Sequence, residues 1–409
     1  MVQRFEESPE VQTASVQHLN SDSISEGVVA GLREALGPTK GSTIPLHEPE
    51  FSDIEFSIMQ DCLKSGWVSS LGPFVTQFEE ALQTVTGARH VIAMASGTAA
   101  LHLILHAIGV RPGDEVIVPA LSFVATANAV SHCHASPHFV DSELITLGLC
   151  PIALRRRLAE IATIDNGVLK NRITGAAIKA VVPMHAFGHP CQIEEIISVA
   201  REFELPVVED AAESLGSSVR GRHTGSFGVA GMLSFNGNKV VTTGNGGAVL
   251  TNDSSLAVRL RHLSTTAKVS HSWRYQHDEI GWNYRLPNLN AALGCAQLSK
   301  LPDILVRKRR LSARYQEVFS RISSTTFTSE SRNSLSNYWL NTIQLLTDDI
   351  RVRDATLQAA HDAGYLCRPA WDLLSSLPMY TTSPRGPLTN AAKIERSLIC
   401  LPSGPRLEK

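Results

Sequence analysis

LSFNGNKVVTTGNGGAVL, residues 233–250, leads from the end of one apolar run into the start of another. Between Arg222 and Asp253, Lys239 is the only Lys, Arg, Asp or Glu. A long charged side chain standing alone beside segments composed for burial calls for a chemical reason. Its flanks decide the fold. AGMLSF (230–235) and GAVLTN (247–252) are short, apolar runs suited to buried strands. Upstream, comparable runs occur at HVIAMA (90–95), EVIVPA (115–120), SPHFVD (136–141), AIKAVVPMH (177–185) and LPVVED (205–210). Helix-like stretches such as TAALHLILHAIG, FVATANAVSHCH, CPIALRRRLAEIA and CQIEEIISVAREF separate several of them. Apolar strands alternating with helices predict an α/β fold with a mostly parallel sheet covered on both faces.

The pattern changes after GWNYRLPNLNAALG. NLNAALGCAQLSKLPDILVRKRRLSARYQEVFS reads as helix with a break near Pro302, followed by a mixed region. The predicted organisation is an N-terminal extension over 1–44, a large α/β domain over 45–285 and a smaller C-terminal α+β domain over 286–409. Within the extension only EGVVAGLREAL suggests a helix.

Bulk properties exclude several classes. The 409 residues carry a net charge near −2, with 19% charged and 43% hydrophobic residues. That balance gives no electrostatic reason to expect nucleic acid or an anionic membrane as partner. Seven scattered cysteines without a CxxC fit reduced thiols in a cytoplasm better than a disulfide framework. MVQRFEESPEVQ lacks the apolar stretch of a signal peptide. His90 to Val110 has no formal charge, but its Ser-Gly-Thr break and three histidines argue for strand, turn and helix rather than a membrane span.

In an open α/β sheet, ligands sit outside the carboxyl ends of the strands. The residues just past the predicted strands are Ser96-Gly97-Thr98, Ser122-Phe123, His185, Asp210 with Glu213, and Ser234 through Lys239. ASGTAAL opens a helix directly after a strand, where N–H groups and hydroxyls suit a phosphate. The GxGxxG spacing of dinucleotide pockets is missing, which disfavours a nicotinamide-dependent oxidoreductase. Asp210 leaves an apolar strand 29 positions before Lys239. A lysine, an aspartate, an aromatic ring (Phe123) and a phosphate cradle on strand ends are what pyridoxal 5'-phosphate needs. The lysine condenses with the aldehyde, the aspartate keeps the pyridine nitrogen protonated, and the ring is covered by the aromatic. A lone lysine also predicts a site without a competing carboxylate beside the amine.

These segments resemble a known family, the DegT/DnrJ/EryC1/StrS sugar aminotransferases, which have the fold-type I architecture of aspartate aminotransferase. The similarity runs from IPLHEP (44–49) to LPSG (401–404). It is carried by GWVSSLGPFVTQFEE, ASGTAALHL, PALSFVATANAV, VPMHAFGHP, VVEDAAESLGS, SFNGNK, TTGNGGAVLTND and GWNYRLPNLNAALGCAQL, in that order. The resemblance implies a seven-stranded sheet in the large domain and Lys239 as the catalytic lysine and proton carrier. Asp210 would meet the pyridine nitrogen, Gly97, Thr98 and Ser234 the phosphate, and Phe123 the ring face. Asn283 in GWNYR would reach the phosphate in the neighbouring subunit of a homodimer, and Glu213 would stand near the cofactor's ring oxygen. Lysine rather than histidine at 239 favours transamination over dehydration. The nearest resemblance within the family is to aminotransferases of legionaminic acid and exopolysaccharide pathways. The expected acceptor is a nucleotide-linked 4-keto-6-deoxy-N-acetylhexosamine, with L-glutamate as donor. Amination at C3 and a catalytically silent sugar-nucleotide sensor are the alternatives.

Other segments carry weaker signals. Arg368 and Trp371 in CRPAW resemble a segment that shapes the sugar-nucleotide site, and His185 is expected to line the pocket. SHCHASPH (131–138) has zinc-ligand types but reads as a helix-to-strand connection away from the site, so no metal is expected. RKRRLSAR (307–314) is expected to be a solvated helix face. TTGNGG has Asn245 where the family has an acid, a change expected to affect the loop.

Overall fold

The computed structural model describes residues 21–408. All seven expected strands form: β1 His90–Met94, β2 Glu115–Pro119, β3 Ser136–Val140, β4 Ile178–Val181, β5 Val208–Asp210, β6 Ala230–Ser234 and β7 Gly247–Thr251. Parallel pairing joins β3, β2 and β4 in one group, and β7 lies antiparallel between β1 and β6, which in turn pairs parallel with β5. Parallel bridges Val181–Val207 and Met184–Asp210 connect the groups. The sheet therefore runs 3-2-4-5-6-7-1 with β7 alone reversed. Its strands are buried almost throughout because helices cover both faces, and their near-continuous apolar composition reflects that.

Helix α1 spans Ser21–Leu36, α2 Asp53–Ser65 and α3 Pro73–Thr86. The uncharged stretch after β1 becomes α4, Gly97–Ala107, capped by Ser96, whose Oγ accepts from the Ala99 N–H at 3.1 Å. Helices α5 (Val124–His132), α6 (Pro151–Ile161), α7 (Ile193–Glu202) and α8 (Ser254–Ser264) complete the large unit's layers. No described helix is long and apolar enough to cross a membrane.

The expected break at Pro302 does not occur. Helix α9 runs unbroken from Asn288 to Phe319 with Pro302 inside it. A helical proline forfeits one backbone bond and costs about 3 kcal/mol. Burial of Leu298, Leu301, Ile304, Leu311, Tyr315 and Phe319 along the same helix offsets that cost. Beyond it lie β8 (Thr325–Phe327), β9 (Asn341–Leu345), α10 (Ile350–Asp362), β10 (Arg368–Pro369), α11 (Thr389–Ser397) and β11 (Leu398–Leu401). These four strands form an antiparallel sheet ordered 8-9-11-10.

The helix suggested by EGVVAGLREAL is real and longer, and it is not an appendage. Ile24, Val28, Leu32 and Ala35 of α1 share a core with Tyr315, Phe319, Ile343 and Tyr365, so residues from both chain ends build the small unit. Residues 1–20 of the expected extension lie outside the described residues.

The basic run on α9 is not a solvated face either. Arg307 pairs with Glu50 and Asp303, Arg309 with Glu330 and Arg314 with Glu408. Lys308 is fully buried, and its Nζ donates to the carbonyls of Trp339 (3.2 Å) and Ser403 (2.6 Å). Burial pulls its pKa down to about 7.

Candidate active site

Strand ends β1, β5 and β6 converge on a cavity of about 600 Å³, a size suited to a small ligand. Ser96, Gly97 and Thr98 border it from the first turn of α4, whose leading N–H groups have no acceptor within their own helix. That turn fits because two glycines allow it. A Cβ on Gly97 would stand 3.1 Å from Cβ of Ser234, and one on Gly247 would stand 2.4 Å from the Ser96 carbonyl carbon.

Alternation along β5 splits VVED into two jobs. Glu209 accepts from the N–H groups of Gly225 (2.7 Å) and Gly228 (2.7 Å) and pairs with His185 Nε2 at 3.0 Å. Asp210 borders the cavity, where Oδ2 accepts from Thr126 Oγ1 at 2.7 Å and Oδ1 from the Ala212 N–H at 3.1 Å. Burial raises the Asp210 carboxyl above the usual carboxylate range, although those two hydrogen bonds and the charge of Lys239 oppose the rise.

Lys239 follows β6 after the turn 235–238. Its Nζ donates to Glu213 Oε1 at 3.2 Å and lies 3.9 Å from the ring centroid of Trp339. The amine is thus alone in sequence but not in space, because the loop after β5 brings Glu213 beneath it. The second oxygen of Glu213 accepts from the Phe187 N–H at 2.8 Å. Burial pushes the Glu213 pKa up to about 7; Lys239 and the Phe187 amide hold it down, and Asp210 adds to the rise.

Phe123, Ser234, Arg368 and Trp371 also border the cavity. Trp371 stacks on Phe187 with centroids 4.5 Å apart and planes 9° from parallel. Arg368 makes no side-chain hydrogen bond or ion pair among the described residues and is exposed. Asn245 borders the cavity as well. Its loop is tied through backbone carbonyls, with Thr243 Oγ1 donating to Asn245 O at 3.0 Å and Asn290 Nδ2 to Thr243 O at 2.7 Å. No hydrogen bond in this loop depends on the side chain at 245 among the described residues.

One residue expected in this cavity lies elsewhere. His185 does not line the cavity: it is fully buried between Glu209 and the Cys191 N–H, which donates to Nδ1 at 3.2 Å. The proton then sits on Nε2, facing Glu209, so the ring braces β5 from behind. Asn283, expected at the site of a neighbouring subunit, is exposed outside this cavity and pairs through its backbone with Thr265. In SHCHASPH, His138 is taken by Glu115 (2.8 Å) and by Arg157 Nε (3.0 Å), while His132 packs edge-on against His102.

Sequence reasoning missed Trp339 and Thr126, which touch Lys239 and Asp210. His47, outside the cavity lining, is buried with neither ring nitrogen hydrogen-bonded, and burial together with the charges of Lys308 and Lys239 lowers its pKa. Thr126 stands three residues past Phe123 and was reachable as a first-turn hydroxyl. Trp339 is 100 residues from Lys239, with no local pattern tying it there.

Pyridoxal phosphate fits these residues. Asp210 is a buried carboxylate whose direct donors are all neutral, as a site for a protonated pyridine nitrogen should be. A glycine-lined helix N-terminus suits the phosphate, and the lysine amine opens onto the same cavity.

Comparison with known proteins agrees. The model of the DegT/DnrJ/EryC1/StrS aminotransferase family matches residues 50–409. A putative pyridoxal phosphate-dependent aminotransferase, EpsN of Bacillus subtilis, is 35% identical over 89% of this chain and 92% of its own. GDP-perosamine synthase of Escherichia coli O157:H7 is 35% identical over 83% and 87%. The crystal structure of the aminotransferase TlmJ from Streptoalloteichus hindustanus superposes with a TM-score of 0.80 at 28% identity, covering 88% of this chain and 94% of that one. By its motifs, fold and relatives, the chain belongs to the DegT/DnrJ/EryC1/StrS aminotransferase family, whose cofactor is pyridoxal phosphate.

Proposed function

We propose that the protein moves an amino group from L-glutamate to a nucleotide-linked 4-keto-6-deoxy-N-acetylhexosamine, serving nonulosonic acid (legionaminic-type) or surface polysaccharide biosynthesis. The observation that carries the reading is the meeting of Lys239, Asp210 and the α4 N-terminus in one cavity that stays open beside Arg368 and Trp371. The relative named GDP-perosamine synthase supports a nucleotide sugar as acceptor. The finer choice of sugar rests on the resemblance of motifs.

When bound, pyridoxal phosphate would supply an aldehyde able to condense with amines and an electron-withdrawing ring. The chain's own residues do the rest. Asp210 holds the ring nitrogen, and its Thr126 hydrogen bond fixes the carboxylate's orientation. Gly97, Thr98 and Ser234 receive the phosphate, and Phe123 covers the ring. Lys239 anchors the cofactor and moves a proton at Nζ, with Glu213 as the group that exchanges hydrogen bonds with that amine. Arg368 offers a free cation to an anionic substrate. Asn283, exposed on the segment after β7 and α8, is assigned to the phosphate site of a second copy in a homodimer. Seven free cysteines support a reducing, cytoplasmic setting.

A panel of nucleotide-linked 3-keto and 4-keto sugars, each incubated with L-glutamate, tests the reading. The expected product is an amine at C4, identified by mass and NMR. Amination at C3 would replace the acceptor assignment. Binding of the sugar nucleotide without amine formation would point to a silent sensor.

A further inference from the structure

Trp339 belongs to the segment leading into β9 of the small unit, yet its indole lies against the catalytic lysine of the large one. It is held at three points. Its N–H donates to Asn337 Oδ1 at 2.7 Å, and its carbonyl accepts from the buried Lys308 at 3.2 Å. Its indole N–H donates to the carbonyl of Asn238, the residue next to Lys239, at 2.7 Å. Asn337 also donates to the carbonyls of Glu213 (2.8 Å) and Leu215 (2.9 Å), so one buried amide sets both groups that touch the lysine amine.

This anchoring is expensive to build. Lys308 is buried without a carboxylate partner among the described residues, and burying its amine on two carbonyls alone is a costly way to hold a backbone. A merely space-filling side chain would not require it. The ring face it fixes attracts a cation, and the nearest cation is Lys239.

We propose that Trp339 is a positioning residue whose ring face, together with Glu213, holds the Lys239 amine at the reaction centre whenever that amine is not covalently engaged. The proposal rests on Lys239 being the reacting lysine. During turnover the amine leaves and must return, and a tethered amine stays within reach instead of sampling the open cavity. No covalent step is assigned to Trp339.

The test compares Trp339→Leu, which keeps an apolar side chain without a π face, with Trp339→Phe, which keeps a ring without the indole N–H. Lys239 is labelled in the cofactor-free proteins by reductive methylation and followed by mass spectrometry. Labelling should be about tenfold faster in the leucine variant, and kcat should fall about tenfold with the donor KM little changed. The phenylalanine variant should recover to within about threefold of the parent on both readouts. Equal defects in the two variants, or a leucine variant within about twofold of the parent, would overturn the proposal. Should the leucine variant not fold, global 5-fluorotryptophan incorporation weakens the ring's attraction for a cation without changing its shape. It must then speed Lys239 labelling, and unchanged labelling overturns the idea. Failure of the underlying reading looks different: Lys239→Ala would still transfer the amino group.

Discussion

Glu213 Oε1 lies 3.2 Å from Nζ of Lys239, and both groups face a buried aspartate, Asp210, across one cavity. Two carboxylates and one amine thus share a poorly hydrated space. Burial raises the pKa of both acids, and the lysine's charge limits the rise.

The first consequence is a pH dependence. Glu213 is pushed up to about 7 from an ordinary 4.5. An acid with a raised folded pKa contributes stability in its protonated form, fully present below about 4.5 and lost as pH rises through about 7. The difference is on the order of 3 kcal/mol at 1.36 kcal/mol per unit. Denaturant unfolding of the cofactor-free protein from pH 4.5 to 8 should show this decline relative to Glu213→Gln. Parallel curves for the two proteins would place the ionisation of Glu213 elsewhere.

Asp210→Asn keeps shape and removes charge. It should weaken cofactor binding and lower kcat by about 100-fold or more, since the ring nitrogen loses its anionic partner. The cofactor-free variant should be no less stable than the parent, because a buried carboxylate held only by neutral donors is lost. Cofactor titration and thermal melts of the two proteins check both halves.

Gly247→Ala should act on the phosphate cradle without touching a polar group. Its Cβ would meet the Ser96 carbonyl carbon at 2.4 Å and the Gly97 nitrogen at 2.5 Å, so the start of α4 must shift. Cofactor affinity is expected to fall at least about tenfold, or roughly 1.4 kcal/mol. Unchanged affinity would mean that this turn does not receive the phosphate.

Glu209→Ala is a stability prediction. Glu209 satisfies His185 and the N–H groups of Gly225, Phe227 and Gly228. Removing it leaves these donors buried, at a cost of about 3–5 kcal/mol. A large fall in melting temperature should accompany the loss, whereas Glu209→Gln should recover part of it.

What could be read from the chain, and what could not, divides along physical lines. The seven strands were legible because each is buried on both faces and so is written as an apolar run, HVIAM and GAVLT among them. That Lys239, Asp210, Gly97 and Phe123 border one cavity was legible because clefts form outside the strand ends in this kind of sheet. His185 misled for the same reason: it ends a strand, but its ring turns to Glu209 behind the sheet. Pro302 misled because local propensity argues for a break that the packing of α9 overrides. Trp339 and Lys308 were invisible because their roles depend on the small unit folding back over the large one, a contact that no local pattern encodes.

The most direct measurement follows the nitrogen. The holoenzyme is incubated with 15N-labelled L-glutamate and a nucleotide-linked 4-keto-6-deoxy-N-acetylhexosamine, alongside Lys239→Ala. The account predicts 15N at C4 of the sugar, 2-oxoglutarate in equal amount, and neither product from the variant. A labelled amine formed by Lys239→Ala, or a wild-type protein that binds the sugar and leaves the label on glutamate, would contradict it.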